Sequence, residues 1–408
     1  MNDRMCRLLA GLLVWTCSWT VVCGQRWEAL QREADVASWQ VGLYVRDLSS
    51  GEEVVSYNAN KLMRPASTQK VLTAVAALNI LGRDHGFATR CYCTGPVDES
   101  GVLHGDVLVV GGWDPLLSYA DLKDMVGALR SLGVDSITGV VIGDVSMTEY
   151  RMLGSGWCWD DVPSDVVPYL SPLVVNHEKN IHESDGDFVS HPESYAMDVL
   201  VGEMRTAGIG LGPNVTRISL EGATVGERRL FHEVRHTLEQ VLQQMLKRSD
   251  NLYAEAVFAQ LGAERAGRLA SQEDCAEALT AALSVMGVEK GSLNVADGCG
   301  LSLYNYVTAR GLVDVLAYAH GHEAIFSAFY PALPVAGVDG TLSRRLKGTR
   351  AYRKVHAKTG TLTGVHTLAG YVERSDGHLL AFAILLNGAM DGKAARAWQD
   401  RVCVALAE

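Results

Sequence analysis

"RPASTQKVLTAVAALNIL" (Arg64–Leu81) sets a serine and a lysine three positions apart at the mouth of a long apolar run that ends before Gly82. The run predicts a helix. On a helix, residues i and i+3 share a face, so the Ser67 hydroxyl and the Lys70 amine can touch. A hydroxyl beside an amine held neutral by its surroundings is an activated nucleophile. The plain structural alternative makes Ser67 a helix cap and Lys70 a solvated charge.

Two further motifs decide between these. "SDN" (Ser249, Asp250, Asn251) lies among helical sequence, and "KTGT" (Lys358, Thr359, Gly360, Thr361) lies in a strand-like stretch. By chance, Ser-x-x-Lys arises about once or twice in such a chain, and Lys-Thr-Gly in roughly one chain in ten. All three in this order, each in a fitting context, is the constellation of serine enzymes that use a lysine base. His236 and His356 lie near the motifs, but the lysine already fills the base's role. Asp297–Ser302, "DGCGLS", reads as a glycine turn near the site. His182 and His191, among carboxylates, read as a solvated loop. Neither HExxH nor a pair of CxxC units occurs, so no metal or other cofactor is expected.

Working outward, a strand "QVGLYVRDL", a turn and "EVVSYN" form a hairpin signature ahead of the Ser67 helix. From about 84 to 228 short Val-rich runs alternate with Gly and Asp, so strands and turns are expected to dominate. "SDGDFVSHPES" reads as a polar loop. The helical period returns at about 232 and continues through "CAEALTAALSVMG" and "TARGLVDVLAYAHG". The stretch from Lys354 to Gly388 reads as three antiparallel strands, with Ser375–Gly377 turning the last hairpin, and a helix closes the chain. The terminal strands can pair, which makes one α/β domain from both chain ends. The expected division is a discontinuous domain, 25–83 and 229–408, around an inserted β-rich domain, 84–228.

The 408 residues suffice for two or three cores, and 48% hydrophobic with 20% charged residues argues against prevailing disorder. A formal charge of −11 disfavours a role on nucleic acid. Residues 1–24 combine two arginines with a short apolar stretch, a signal-peptide pattern with cleavage near Gly24; a lipoprotein at Cys23 and a retained anchor are the alternatives. Six of nine cysteines lie beyond this leader. An exported protein can hold a disulfide or two, and the pairing is open.

Seven stretches, "RPASTQKVLTAVAAL", "GGWDPLL", "GWCWDD", "KRSDNLYAE", "DGCGLSLYN", "GVDGTLSRR" and "KTGTLTGVHTLAGYV", together resemble the serine D-Ala-D-Ala carboxypeptidase family S13, which includes penicillin-binding protein 4. The resemblance implies a penicillin-recognising fold: a five-stranded antiparallel sheet with helices on both sides, interrupted by an insertion after the Ser-x-x-Lys helix. Ser67 and Ser249 stand 182 positions apart (249 less 67), closer than the family's usual spacing, so one lobe of the insertion is expected to be reduced.

The resemblance also implies an exported periplasmic enzyme acting on peptidoglycan stem peptides, with β-lactams as covalent inhibitors. It implies that Ser67 becomes acylated, Lys70 takes its proton and Ser249 relays a proton to the leaving amine. Asn251 would hold Lys70 and the substrate amide. Lys358, Thr359 and Thr361, with Gly360 between them, would bind the terminal carboxylate, and the Ser67 and Thr361 N–H groups would form the oxyanion hole. Asp161, the second acid of the "GWCWDD" stretch, would receive a free amine on the stem's third residue; a loop charge or cap is the alternative, and Val166 stands where the family often carries an aromatic. A β-lactamase and a non-catalytic cell-wall binding protein are the competing readings. The first lacks a convincing Glu-x-x-x-Asn element between Ser67 and Ser249. Oligomeric state is not legible.

Overall fold

The computed structural model describes residues 29–30, 32–33, 38–161, 166–178, 189–213, 215–223 and 226–408. The leader, most of the region from 26 to 38, His182 and the first five residues of the "SDGDFVSHPES" stretch lie outside the described residues.

In chain order, β1 (Gln40–Asp47) and β2 (Glu53–Tyr57) precede helix α1 (Gln69–Ile80). Next come β3 (Gly86–Thr94), β4 (Val107–Val110), α2 (Tyr119–Ser131), β5 (Val141–Asp144), α3 (Pro192–Thr206), β6 (Thr216–Ser219) and β7 (Arg228–Thr237). Five helices follow: α4 (Leu238–Lys247), α5 (Asn251–Ala266), α6 (Gln272–Val285), α7 (Ala309–His320) and α8 (Glu323–Ala332). The chain closes with β8 (Val355–Leu362), β9 (Val365–Glu373), β10 (Leu379–Asn387) and α9 (Gly392–Leu406).

One five-stranded sheet runs β8-β9-β10-β1-β2, antiparallel throughout. The chain ends meet where β1 pairs with β10, Val45 opposite Phe382. Period-2 alternation explains why this sheet is buried on both faces. Leu380, Phe382, Ile384 and Leu386 of β10 pack with Trp398 and Val402 of α9. Ala381, Ala383 and Leu385 between them face the larger helical core built by α1 and α4 to α8. The small residues on that face let α7 approach the sheet closely.

The second sheet runs β7-β3-β4-β5-β6. Its β7/β3 and β3/β4 pairs are antiparallel, and β4/β5 and β5/β6 are parallel. Parallel neighbours need crossovers, and α2 and α3 supply them. The expected strands and turns make up most of 84–228, and these two helices are the elements the expectation left out. Ser118 and Asp121 form a capping box for α2, whose Leu122, Met125, Val126 and Leu129 fall on one buried stripe. α3 starts at Pro192, so the last part of the expected polar loop is helical. The helical period begins at Leu238 rather than about 232. The residues before it extend β7, and Thr237 caps α4. Beside this sheet lies a small parallel one of three two-residue strands. Cys91, Cys93, Cys158, Cys275, Cys299 and Cys403 are all free.

Candidate active site

Ser67 sits in a single 3-10 turn, Ala66–Thr68, at the start of α1. The turn is held from three sides. Thr68 Oγ1 and Thr367 Oγ1 donate to Pro65 O at 2.6 and 2.7 Å. Arg64 N donates to Asn387 Oδ1 at 2.9 Å. Ala66 is in the left-handed region, with φ +46°, a strained conformation for a residue with a side chain. Two glycines press on the turn: an added Cβ would meet Ala66 O at 1.9 Å from Gly300 and Ser67 N at 2.9 Å from Gly360. Here glycine is required by close backbone approach.

One turn beyond Ser67, as the second residue of α1, Lys70 is fully buried. Its Nζ lies 3.0 Å from Ser67 Oγ, 2.5 Å from Asn251 Oδ1 and 2.7 Å from Cys299 O. The Asn251 amide orientation follows from its other end, where Nδ2 donates to Val166 O at 2.5 Å. Two of the three Lys70 partners are therefore pure acceptors, and the third is a hydroxyl. An ammonium satisfies all three by donating three times, and a neutral amine does so by donating twice and accepting the Ser67 O–H with its lone pair, so the shell accommodates both states of the base. Burial pushes the Lys70 amine below its ordinary value, against the opposing field of Cys299, Asp297, Asp250 and Glu255.

Ser249 links α4 to α5 with φ +63°. Asp250 caps α5 through Tyr253 N, and its second oxygen meets His177 Nε2 at 2.7 Å. Asn251 opens α5. Opposite, the buried Lys358 on β8 donates from Nζ to Ser249 Oγ at 2.7 Å and to Thr359 O at 2.6 Å. Burial holds the Lys358 amine well below its usual range, and the charge of Lys70 adds to the effect.

β8 is the edge strand of its sheet. Ala357 N donates to Pro334 O, and Ala336 N donates to Val355 O, both on the side away from β9. Alternation then turns the backbone groups of Thr359 and Thr361 to the same outer edge. Among the described residues no further strand pairs there, so the edge can take an extended peptide. The Thr359 hydroxyl bonds that of Thr341 at 2.8 Å.

The structure thus brings Ser67, Lys70 and Asn251 into one hydrogen-bonded group and Ser249 with Lys358 into another. Asp161 is different. It ends an exposed 3-10 turn, Trp159–Asp161, and touches none of these groups. Yet Val166, five residues on, reaches Asn251, so chain length keeps Asp161 within roughly 17 Å of that contact. His236 pairs with Asp114 instead of a serine, at 2.7 Å, and His356 stacks on Tyr330.

Sequence reasoning missed the Cys299 carbonyl, a backbone atom with no side-chain signature. It also missed Glu255, which accepts Gly298 N and Cys299 N at 2.8 and 3.0 Å. Its signal was an acid inside the buried stretch of α5, where burial pushes its carboxyl up to about 7. Glu255, Asp297 and Cys299 bring ligand-type atoms within 4.8 Å of one another. Both Asp297 oxygens, however, already accept two N–H groups each. That donor shell suits a structural carboxylate better than a cation site.

The D-Ala-D-Ala carboxypeptidase 3 (S13) family model matches residues 27–186 and 186–408. The chain is 30% identical to a D-alanyl-D-alanine carboxypeptidase of Actinomadura sp. (strain R39), over 90% of this chain and 81% of that protein. It is 27% identical to a D-alanyl-D-alanine carboxypeptidase of Haemophilus influenzae, over 86% of each. The crystal structure of penicillin binding protein 4 from Haemophilus influenzae superposes with a TM-score of 0.80 at 25% identity, covering 89% of this chain and 94% of that one. A predatory endopeptidase of Bdellovibrio bacteriovorus shares the fold, with a TM-score of 0.58 at 17% identity, over 90% and 92%. With the family matched from residue 27 to the last residue, over a lysine-and-serine site on a five-stranded antiparallel sheet, the chain belongs to the S13 family of serine-type D-Ala-D-Ala carboxypeptidases.

Proposed function

We propose that this enzyme cleaves peptidoglycan stem peptides ending in D-Ala-D-Ala, and D-alanyl cross-links, through an acyl-enzyme on Ser67. Ser67 Oγ attacks the carbonyl of the penultimate D-alanine as its proton passes to Lys70 Nζ. The N–H groups of Ser67 and Thr361 stabilise the oxyanion. Collapse breaks the C–N bond, and Ser249, fed by Lys358, gives the leaving amine its proton. Lys358, Thr359 and Thr361 receive the terminal carboxylate, and Asn251 holds both Lys70 and the substrate amide. Water then releases the acyl group. Carboxypeptidase and endopeptidase cleavage share this intermediate. A β-lactam acylates the same serine.

The carrying observation is a fully buried Lys70 amine 3.0 Å from Ser67 Oγ, its pKa lowered by that burial, and held by Asn251 and the Cys299 carbonyl. We propose also that the protein is exported. The described residues contain no helix long and apolar enough to cross a membrane. The chain ends form one discontinuous domain and the middle an inserted one. Pairing of β7 with β3 supports placing the second junction near Thr237, a few residues beyond 229.

Incubation with fluorescent penicillin, then with a D-Ala-D-Ala peptide, tests the reading. A long-lived adduct together with D-alanine release is expected. Rapid penicillin turnover would instead indicate a β-lactamase, and no adduct a binding protein.

A further inference from the structure

The three groups around Lys70 Nζ include one peptide carbonyl, that of Cys299. The same peptide unit carries the Gly300 N–H, which donates to Asp297 Oδ1 at 2.7 Å. In a trans peptide the C=O and N–H point in opposite directions. Asp297 and Lys70 therefore sit at the two ends of one peptide dipole, the carboxylate at its N–H end and the amine at its C=O end. A negative charge at the N–H end polarises the unit and makes its oxygen a stronger acceptor.

The unit is fixed. Gly300 has φ +91°, and its Cα rests against Ala66 O, where a Cβ would lie 1.9 Å away. Thr73 Oγ1 donates to Gly298 O at 2.7 Å, tying the turn to α1. Asp297 is fully buried. Its Oδ1 accepts Gly300 N and Asn305 Nδ2, at 2.7 and 2.6 Å, and its Oδ2 accepts Ser302 N and Trp157 Nε1, at 2.6 and 2.9 Å. Four donors and no acceptor are what a carboxylate anion satisfies.

We propose that Asp297 is a positioning residue for the base, acting on the Lys70 amine through the Cys299–Gly300 peptide, so that carboxylate, peptide, lysine and Ser67 form one relay. It does for Lys70 what the buried carboxylate of a Ser-His-Asp triad does for the imidazole, with a peptide unit as the intermediary. No proton leaves Asp297. As the Ser67 O–C bond forms, the Ser67 proton moves to Lys70 Nζ, and the resulting ammonium is stabilised by the polarised Cys299 oxygen. The inference rests on the reading of Lys70 as the base.

The test measures the rate of penicillin acylation from neutral to alkaline pH in the wild type, Asp297→Asn and Trp157→Phe. Besides Asp297, the groups facing Lys70 are Asp250, Glu255, Cys299 and, across the cleft, Lys358. All of them stay in both variants. Asp297→Asn removes a charge that favours the ammonium. The rising limb should therefore move to lower pH, by about half a unit or more, while the plateau falls about tenfold. Trp157→Phe removes one donor from Asp297 and leaves its charge less compensated, so the limb should move the opposite way. Calorimetric melting confirms that each variant is folded. A role confined to holding the turn lowers rate and stability without moving either limb, and that result overturns the relay. Should Asp297→Asn fail to fold, an unmoved limb in folded Trp157→Phe overturns it equally. A wild type with no rising limb sinks the base reading and the relay together.

Discussion

Gly360 of β8 and Ser67 of the 3-10 turn at the mouth of α1 meet backbone to backbone. A Cβ on Gly360 would lie 2.9 Å from Ser67 N, 2.9 Å from Pro65 O and 2.1 Å from Thr367 Oγ1. All three atoms belong to the support of the turn, so none yields without moving Ser67. Gly360→Ala should slow penicillin acylation about 100-fold or more and lower stability by about 1–3 kcal/mol. Gly127→Ala is the control. Its added Cβ meets open space inside α2, so it should leave acylation unchanged and stabilise by about 0.5–1 kcal/mol. Unchanged acylation in Gly360→Ala would show that the contact does not set the geometry of Ser67.

Lys70 carries the pH dependence. Burial holds its amine below the ordinary lysine range. On the proposed mechanism the neutral form is the base, so the acylation rate should rise with pH through an apparent value below about 10.4. That value belongs to the coupled group of Lys70, Lys358 and Ser249 rather than to one residue. Lys70→Arg keeps a charge that cannot be shed, and acylation should fall about 1,000-fold or more. Acylation in that variant equal to the wild type would remove Lys70 from the role of base.

Lys358 sets stability against activity. Its amine is fully buried and pushed well below its usual range, first by burial and then by Lys70. In the window between its folded value and about 10.4 the unfolded chain binds more protons than the folded one, so stability rises with pH there. Below the window the full penalty of the buried amine remains. Lys358→Met removes the ionisable group at similar length. It should raise the melting temperature at neutral pH, with the gain shrinking as pH climbs through that window, while D-alanine release is lost. A melting temperature that falls equally at neutral and alkaline pH would contradict the sign.

How far the sequence carried depended on whether the signal was local. The pairing of β1 with β10 was legible because both strands are long apolar runs bounded by turns. The Ser67, Ser249 and Lys358 motifs were legible because their chemistry needs side chains at fixed spacing. Helices α2 and α3 were overlooked, although Ser118 with Asp121 and the stripe at 122, 125, 126 and 129 spelled one of them. Short strands on either side drew the reading toward β structure. The entry to α4 was set five or six residues early because "FHEVRHT" fits either period, and pairing with β3 decided it. The Cys299 carbonyl had no sequence signature, since a backbone acceptor is created by tertiary placement.

Asp161 is the proposed substrate-binding residue whose role is least constrained by contacts, and it yields the sharpest selectivity test. It ends an exposed turn beside Trp159, itself 85% exposed, and the chain returns at Val166 to bond Asn251. The insertion therefore reaches the cleft within a few residues of this carboxylate. A carboxylate at the rim can pair with a free amine on a stem peptide, and a partly desolvated pair discriminates by about 1–3 kcal/mol, or roughly 5- to 150-fold. Val166 offers less surface than an aromatic would, which places the lower part of that range nearer the expectation. Two peptides ending in D-Ala-D-Ala, one with a free side-chain amine and one acetylated there, measure the preference as a ratio of kcat/KM. The wild type should favour the free amine. Asp161→Asn should lose the preference while keeping penicillin acylation, because no described contact joins it to Ser67 or Lys70. Equal use of both peptides by the wild type would take Asp161 out of the substrate site and leave it as a solvated charge on a loop.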